Sequence, residues 1–419
     1  MNSRQTNPIG FPISVVVVDE HSTVTGGATR VAIDEAIALS EVGAAVTYFA
    51  AVGPICTELR SSKVNVVLLD QHHLAESWKH PAAAFQAIWN QVAYRAMGRL
   101  LNSLHVNSTV IHVHGYSKTM SASPIRCAID RGFAVVTTLH DYFSACPNGG
   151  FFDYPTGQLC TRAPMSLRCL THNCDKRSYA VKSYRALKTY VQREFGGMPT
   201  RVKNFIVLSD SSLSLLRSYL PNDANLFLLR NPCSVPHLPP ADTASRNLVA
   251  VVGRLSPEKG IEIVVSAARD SGTQLLFIGD GPLRNIAEAD GTHQVTGWVS
   301  RNQVHRLFDQ VRCLILPSLV PETYGLSVVD AAARGVPSIV TNICGIAEYI
   351  NHGTDGWRIP PGDVDSLAAC LHAIKDDKII STAGRAAYTR YWSAPLSLDT
   401  HICALLDIYR SILRPIVSD

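Results

Sequence analysis

The sequence predicts an α/β protein made of two doubly wound parallel sheets in tandem. Three observations carry that expectation. Short β-rich runs alternate with helical patterns through the first half of the chain. A Pro-, Asn- and Asp-rich segment, 221–246, then interrupts the pattern, and the alternation starts again after it. Strands alternating with helices imply a parallel sheet covered on both faces. Two such sheets leave a ligand cleft outside the carboxyl ends of their strands.

The 419 residues suffice for two or three domains. With 46% hydrophobic and 17% charged residues, the chain can bury large cores and does not read as disordered. The net charge of +4, from 38 basic and 34 acidic residues, is too mild to imply nucleic acid. No run reaches the roughly 18 apolar residues of a membrane-spanning helix. The opening MNSRQTNPIGFPISVVVVDE lacks the cleavage pattern of a signal peptide and reads as the approach to a buried strand. Eleven cysteines without such a signal are expected in a reducing cytoplasm, as thiols or metal ligands rather than disulfides.

In chain order, SVVVVD (14–19) predicts a strand. GGATRVAIDEAIALSEVG (26–43) predicts a helix with an apolar face of Val31, Ile33, Ala36, Ile37 and Leu39, stopped at Gly43. AAVTYFAAV (44–52) and VNVVLLD (64–70) predict strands, 82–104 a helix, and TVIHVHG (109–115) and FAVVTTLHD (133–141) further strands. Beyond 221–246, strands are expected at 247–253, 274–280, 312–318 and 336–342. Helices are expected at 260–269, 301–310, 326–335 and 363–375, and a final amphipathic helix at 398–414. The domains expected are 1–230, with an insert at 145–177, then 231–395. The segment 396–419 is expected to pack back on the first domain.

Three glycine turns each follow a strand and open a helix: Gly26–Gly27, GRLSPEKG with Gly253 and Gly260, and PETYGLS with Gly325. Backbone N–H groups at such a helix end suit a phosphate. In the second turn, Arg254 and Lys259 add fixed cations, a combination that describes a diphosphate clamp; the alternative is a pair of solvated surface charges. Glu322, just after a strand, can accept hydrogen bonds from sugar hydroxyls. Asp330 lies about one and a half turns into the next helix, on a side that can share the cleft. His140 and Asp141 end one long apolar strand, and His112 and His114 another. His140 is read as functional and His112 as structural.

In that order, GRLSPEKG, FIGDGP, TGWVS, LPSLVPETYGLSVVDAAARGVPSIVT and GTDGWRIPPGD closely resemble the C-terminal domain of retaining glycosyltransferases of family 4, which have the GT-B fold. GGATR and TTLHD resemble that family's acceptor-side domain, so the likeness runs from about residue 12 to 412. The resemblance implies two Rossmann-like domains facing across a cleft, a nucleotide-sugar donor of the UDP or GDP type, and a glycan or lipid-linked acceptor. It implies transfer with retention, in surface polysaccharide or glycolipid synthesis, and no metal for catalysis. By position, Gly26 and Gly27 approach the donor diphosphate and Arg254 and Lys259 neutralise it. Glu322 contacts the donor sugar, and the amides of Tyr324, Gly325 and Leu326 touch sugar or phosphate. Asp330 takes the place of the family's usual second glutamate, which holds the ribose, one methylene shorter. His140 stands near the reacting sugar.

Two features lie outside this likeness. Cys146, Cys160, Cys169 and Cys174 crowd the insert, and four thiolates suit a structural zinc or iron–sulfur cluster, with His172 as a substitute ligand; the alternative is thiols packing an irregular loop. Residues 162–203 hold ten basic residues against Asp175 and Glu194, with Tyr179, Tyr184, Tyr190 and Phe195 among them. Such a helix suits an anionic inner-membrane surface, with Lys182, Arg185 and Lys188 as its contacts, or is simply a solvated face. A nucleotide-sugar epimerase of the same fold, or a sugar-nucleotide-binding protein that has lost turnover, are the rival functions. A nicotinamide enzyme is disfavoured because no G-x-G-x-x-G follows the first strand.

Overall fold

The computed structural model describes residues 13–74, 82–289 and 291–413. The strands are β1 (Ser14–His21), β2 (Ala45–Val52), β3 (Asn65–Leu68), β4 (Thr109–Val113), β5 (Ala134–Thr138), β6 (Phe152–Asp153), β7 (Gln158–Leu159), β8 (Asn204–Val207), β9 (Asn225–Leu228), β10 (Leu248–Val252), β11 (Leu275–Ile278), β12 (Gln294–Val295), β13 (Val311–Leu316), β14 (Ser338–Thr341) and β15 (Gly356–Ile359). One parallel sheet has the order β3-β2-β1-β4-β5-β8-β9, and the second has the order β12-β11-β10-β13-β14-β15. Both are doubly wound, as the alternation predicted. The pair β6–β7 is a small antiparallel hairpin inside the insert.

The run of valines in β1 is buried on both faces, which is what a central parallel strand between β2 and β4 requires. Its odd-numbered valines pack under the helix Gly27–Glu41, and its even-numbered ones face the helix Gln91–Leu101. The helix Leu398–Leu413 lays Ile402, Leu405, Leu406 and Tyr409 into the first of these layers, against Val15, Val17 and Ile33. The chain's last described element is thereby built into the core of the first domain.

Several boundaries differ from expectation. The 82–104 helix is two helices, Ala82–Ile88 and Gln91–Leu101, because buried Asn90 breaks the run and caps the second through its side chain. The segment 221–246 is not all linker: NLFL is the edge strand β9, held by β8. The helix Asp377–Ser393, capped by Asp376, and the short strands β12 and β15 were not anticipated. Residues 1–12 and 414–419, parts of the expected first and last segments, lie outside the described residues. Among the described residues, no helix is long and apolar enough to cross a membrane.

Candidate functional site

Strand ends from both sheets meet at a cleft of about 400 Å³. Gly27, His140 and Asp141 line it from the first domain; Gly253, Arg254, Lys259, Glu322 and the segment Thr323–Ser327 line it from the second. A larger cavity, about 1110 Å³, lies elsewhere, beside Phe133 and Leu413. Its described lining has no carboxylate or histidine, whereas the smaller cleft carries His140, Asp141 and Glu322.

Two glycines at this cleft have a steric reason. Gly260 sits at φ +68°, and a Cβ there would stand 2.2 Å from the carbonyl oxygen of Pro317. The chain must turn this tightly to bring Lys259 back over β13. At Gly325 a Cβ would meet Ile346 at 2.7 Å, so the turn that starts the helix Leu326–Ala333 lies hard against the domain core. Across the cleft, a Cβ on Gly27 would meet the side chain of Leu326 at 3.0 Å. The N-termini of the helices Gly27–Glu41 and Leu326–Ala333 therefore approach one another at the cleft, and both direct their free first-turn amides towards it.

Lys259 Nζ pairs with Glu322 Oε1 at 2.8 Å. Burial works against the Lys259 ammonium, but Glu322 outweighs it and holds the amine above its ordinary range. Arg254 is exposed at the rim and makes no ion pair among the described residues, so its five donors remain available to a ligand. Tyr324 buries its ring against the domain core, leaving only its backbone for the cleft. Thr323 Oγ1 donates to the His140 carbonyl (2.9 Å) and Ser209 Oγ donates to the Thr323 carbonyl (2.9 Å), so the Glu322 turn is bonded across the domain boundary. Burial first, and then the neighbouring His114, push His140 down to about 3, so its imidazole is neutral at pH 7.

Asp330 departs from the expected geometry. It does not line the cleft; its buried carboxylate is held by Arg301 at 2.8 Å, His305 at 3.4 Å and the Cys233 thiol at 3.0 Å. Burial alone would raise this carboxyl, but His305 and Arg301 outweigh it and hold it low. Gly26 caps its helix one residue outside the cleft lining.

The cysteine cluster is also arranged differently from the expected metal site. Among the described residues the four thiols do not converge as metal ligands. Lys182 instead inserts its ammonium among them, 3.3 Å from Cys169 Sγ, while Cys160 lies beside Arg162 at 3.8 Å. His172 is taken by Asp153 at 2.6 Å. The same packing takes up the three basic side chains expected to contact a membrane, while Arg168, Lys176, Arg177 and Arg193 stay exposed. Lys182 and Lys188 of the helix Tyr179–Glu194 are buried, and Arg185 turns inward to Asp175 at 3.1 Å. The large apolar side chains exposed there are Tyr179, Leu187, Tyr190 and the following Phe195, beside exposed Arg193 and Glu194.

Residues 241–390 match the family model of glycosyl transferases group 1. An exopolysaccharide phosphotransferase of Streptomyces coelicolor is 31% identical over 153 residues, covering 34% of this chain and 16% of that protein. A glycogen synthase of Mycobacterium tuberculosis is 26% identical over 209 residues, covering 46% of this chain and 50% of that protein. The chain thus spans half or less of the length of these curated relatives. Sucrose-phosphate synthase from Thermosynechococcus elongatus superposes with a TM-score of 0.68 at 16% identity, covering 96% of this chain and 99% of that one. The Anabaena protein HepE, solved with UDP and glucose, superposes with a TM-score of 0.66 at 15% identity, covering 95% and 100%. The fold is GT-B.

Sequence reasoning missed Asn231, Gly149 and Gly150 as parts of this site. Asn231 lines the cleft with a buried side-chain oxygen that has no hydrogen-bond partner, but it lies in what read as linker. Gly149 and Gly150 line it from the cysteine-rich insert. Asp141 follows the noted His140; burial raises its carboxyl. An Asn-Pro pair one residue after an apolar run, as at Asn231–Pro232 beyond Leu226–Leu229, was the available signal for the first.

Proposed function

We propose that the chain is a retaining glycosyltransferase that moves a sugar from a nucleotide-sugar, of the UDP or GDP type, to a glycan or lipid-linked acceptor in surface polysaccharide or glycolipid synthesis. The observation that carries this reading is the Lys259–Glu322 pair in the cleft, set between two helix N-termini with Arg254 free beside it. A cation, a rim guanidinium and helix-end amides suit a diphosphate leaving group, and the adjacent carboxylate suits sugar hydroxyls. The group 1 match, the polysaccharide-related names of the relatives and the UDP and glucose found with HepE support the same donor class.

In the reaction proposed, the bond from the sugar's anomeric carbon to the diphosphate oxygen breaks. The acceptor hydroxyl bonds to that carbon from the same face and gives its proton to the departing phosphate. Arg254 and Lys259 stabilise the charge that develops on the diphosphate, Glu322 holds the sugar, and His140 borders the reacting carbon. The exposed Leu187, Tyr190 and Phe195 support contact with the cytoplasmic face of a membrane, where a lipid-linked acceptor would lie. The Asp330–Arg301 pair favours a second reading, of weak donor binding with little turnover, because the carboxylate meant for the ribose is already engaged. Release of nucleoside diphosphate from UDP- or GDP-sugars with a glycan or lipid-linked acceptor separates the two. Turnover with an α-linked product from an α-linked donor supports transfer with retention. Inversion, or donor binding without release, refutes it.

A further inference from the structure

Behind His140 a chain of buried side chains runs through the first domain. His140 Nε2 is 2.9 Å from His114 Nδ1. His114 Nε2 is 3.3 Å from Glu35 Oε2, and Glu35 Oε1 is 2.9 Å from His401 Nε2. His401 Nδ1 faces the carbonyl oxygen of Arg230 at 2.9 Å. The chain joins the strand ends of β4 and β5, the first helix, the helix Leu398–Leu413 and the stretch leading to Asn231. Glu35 stands on the buried side of its helix, at a depth where a carboxylate is costly unless its charge is matched.

We infer that Glu35 and His401 fix the tautomer of His140 and so decide what His140 offers the cleft. The proton placement follows from the partners. Both ring nitrogens of His401 face oxygen acceptors, so both carry hydrogen, and the imidazolium balances an ionised Glu35. His114 Nε2 has two neighbours at 3.3 Å, Glu35 Oε2 and His112 Nδ1, and beside an ionised carboxylate it is the nitrogen that carries the hydrogen. That leaves His114 Nδ1 bare, to accept from His140 Nε2–H. His140 Nδ1 is therefore bare, has no partner among the described residues, and presents the cleft with a hydrogen-bond acceptor. A hydroxyl group, of sugar or acceptor, is the chemistry it fits. Glu35, His114 and His401 are not among the residues that line the cleft; they are positioning residues.

Glu35, His112 and His114 also form a triangle with edges of 3.3 to 3.4 Å, wide enough for a metal ion. Two contacts argue against one. His401 already balances Glu35, and Tyr409 Oη stands 2.7 Å from His112 Nδ1, the nitrogen a metal would need.

This inference rests on the proposed function only for its effect on turnover, so the decisive test is a spectrum of the protein without substrate. Histidine ¹⁵N shifts, with His140→Gln used for assignment, should show His140 as the Nε2–H tautomer and His401 carrying both protons. In Glu35→Gln the amide can donate to His114, and the His140 signal should move to the Nδ1–H form. His401→Gln, whose amide still donates to Glu35, should keep the wild-type pattern at His140, whereas His401→Leu should not. If the wild-type protein transfers sugar, kcat should fall roughly 10- to 100-fold in Glu35→Gln with KM for donor little changed, at or below the low end of the roughly 10²–10⁴-fold that a well-placed acid–base group contributes. An unchanged His140 tautomer in Glu35→Gln, or one equivalent of metal in the wild-type protein that Glu35→Gln loses, overturns the inference. Absence of any turnover would refute the proposed function and leave the spectral test intact.

Discussion

Replacing Lys259 by Met keeps most of the aliphatic stem and removes the charge opposite Glu322. At the 2.8 Å separation and an effective dielectric near 20, the gross attraction is about 6 kcal/mol. The side chains are 31% and 20% exposed, and desolvation cancels most of that figure, so the net worth of the pair is of order 1–3 kcal/mol. If Lys259 also meets the leaving diphosphate, Lys259→Met removes a charge-assisted contact that strengthens as the phosphate departs. A loss of that kind is about 3–4 kcal/mol, a fall of roughly 10²–10³ in kcat/KM. Glu322→Gln keeps one amide oxygen as a weaker, uncharged acceptor for the sugar hydroxyls and frees Lys259 for phosphate, so its fall is smaller, about 10–100-fold. Because the two groups act on one another, the double mutant should lose less than the sum of the singles, by about 1–3 kcal/mol. The assay is nucleoside diphosphate release, with urea unfolding of each variant as a control for folding. Lys259→Met within threefold of wild type, or additivity within about 0.5 kcal/mol, would refute the reasoning.

Other expectations test the fold that positions these groups. Gly260→Ala places a Cβ against the Pro317 carbonyl in a left-handed turn and should cost about 2–4 kcal/mol in urea unfolding; a loss below about 0.5 would mean the turn is not constrained as described. Buried Arg312 donates to Ala244, Arg246 and Lys375 carbonyls and pairs with Asp377 at 2.7 Å, so Arg312→Ala should destabilise the second domain by about 3–5 kcal/mol; an unchanged unfolding midpoint would contradict that role. Burial pushes Lys188 down to about 8 from 10.5. Between those values the unfolded chain holds a proton that the folded one does not, so wild-type stability relative to Lys188→Met should rise from pH 8 to pH 10.5, by up to about 3 kcal/mol. A flat or falling difference would place the amine in water.

What was legible from the residues followed from strong local patterns. The valine run of β1 and the PETYGLS turn carry periodicity and glycine placement that allow few alternatives, and these fixed both sheets and the cleft-facing turn. Asp330 was misplaced because its spacing along the helix gave its depth but not its neighbours: Arg301 and Cys233 come from elements 29 and 97 residues away in sequence. The cysteine insert misled for the same reason, since composition gathers thiols but cannot show Lys182 standing among them. Asn231 was lost because β9, an edge strand held mainly by β8, has too short a pattern to separate it from linker. The Glu35–His401 contact joins residues 366 apart, and no local signal exists for it beyond an acid on an otherwise apolar helix face.

On the reading proposed here, the cleft beside Lys259 and Glu322 binds a nucleotide-sugar. The most direct measurement is the thermal unfolding midpoint of the wild-type protein and of Lys259→Met across UDP-, GDP- and ADP-sugars. A donor at a hundred times its dissociation constant adds about 2.7 kcal/mol of stability. The midpoint should rise with one UDP- or GDP-sugar, and that rise should shrink sharply in Lys259→Met. No rise with any of them at millimolar concentration, or the same rise in both proteins, would contradict it.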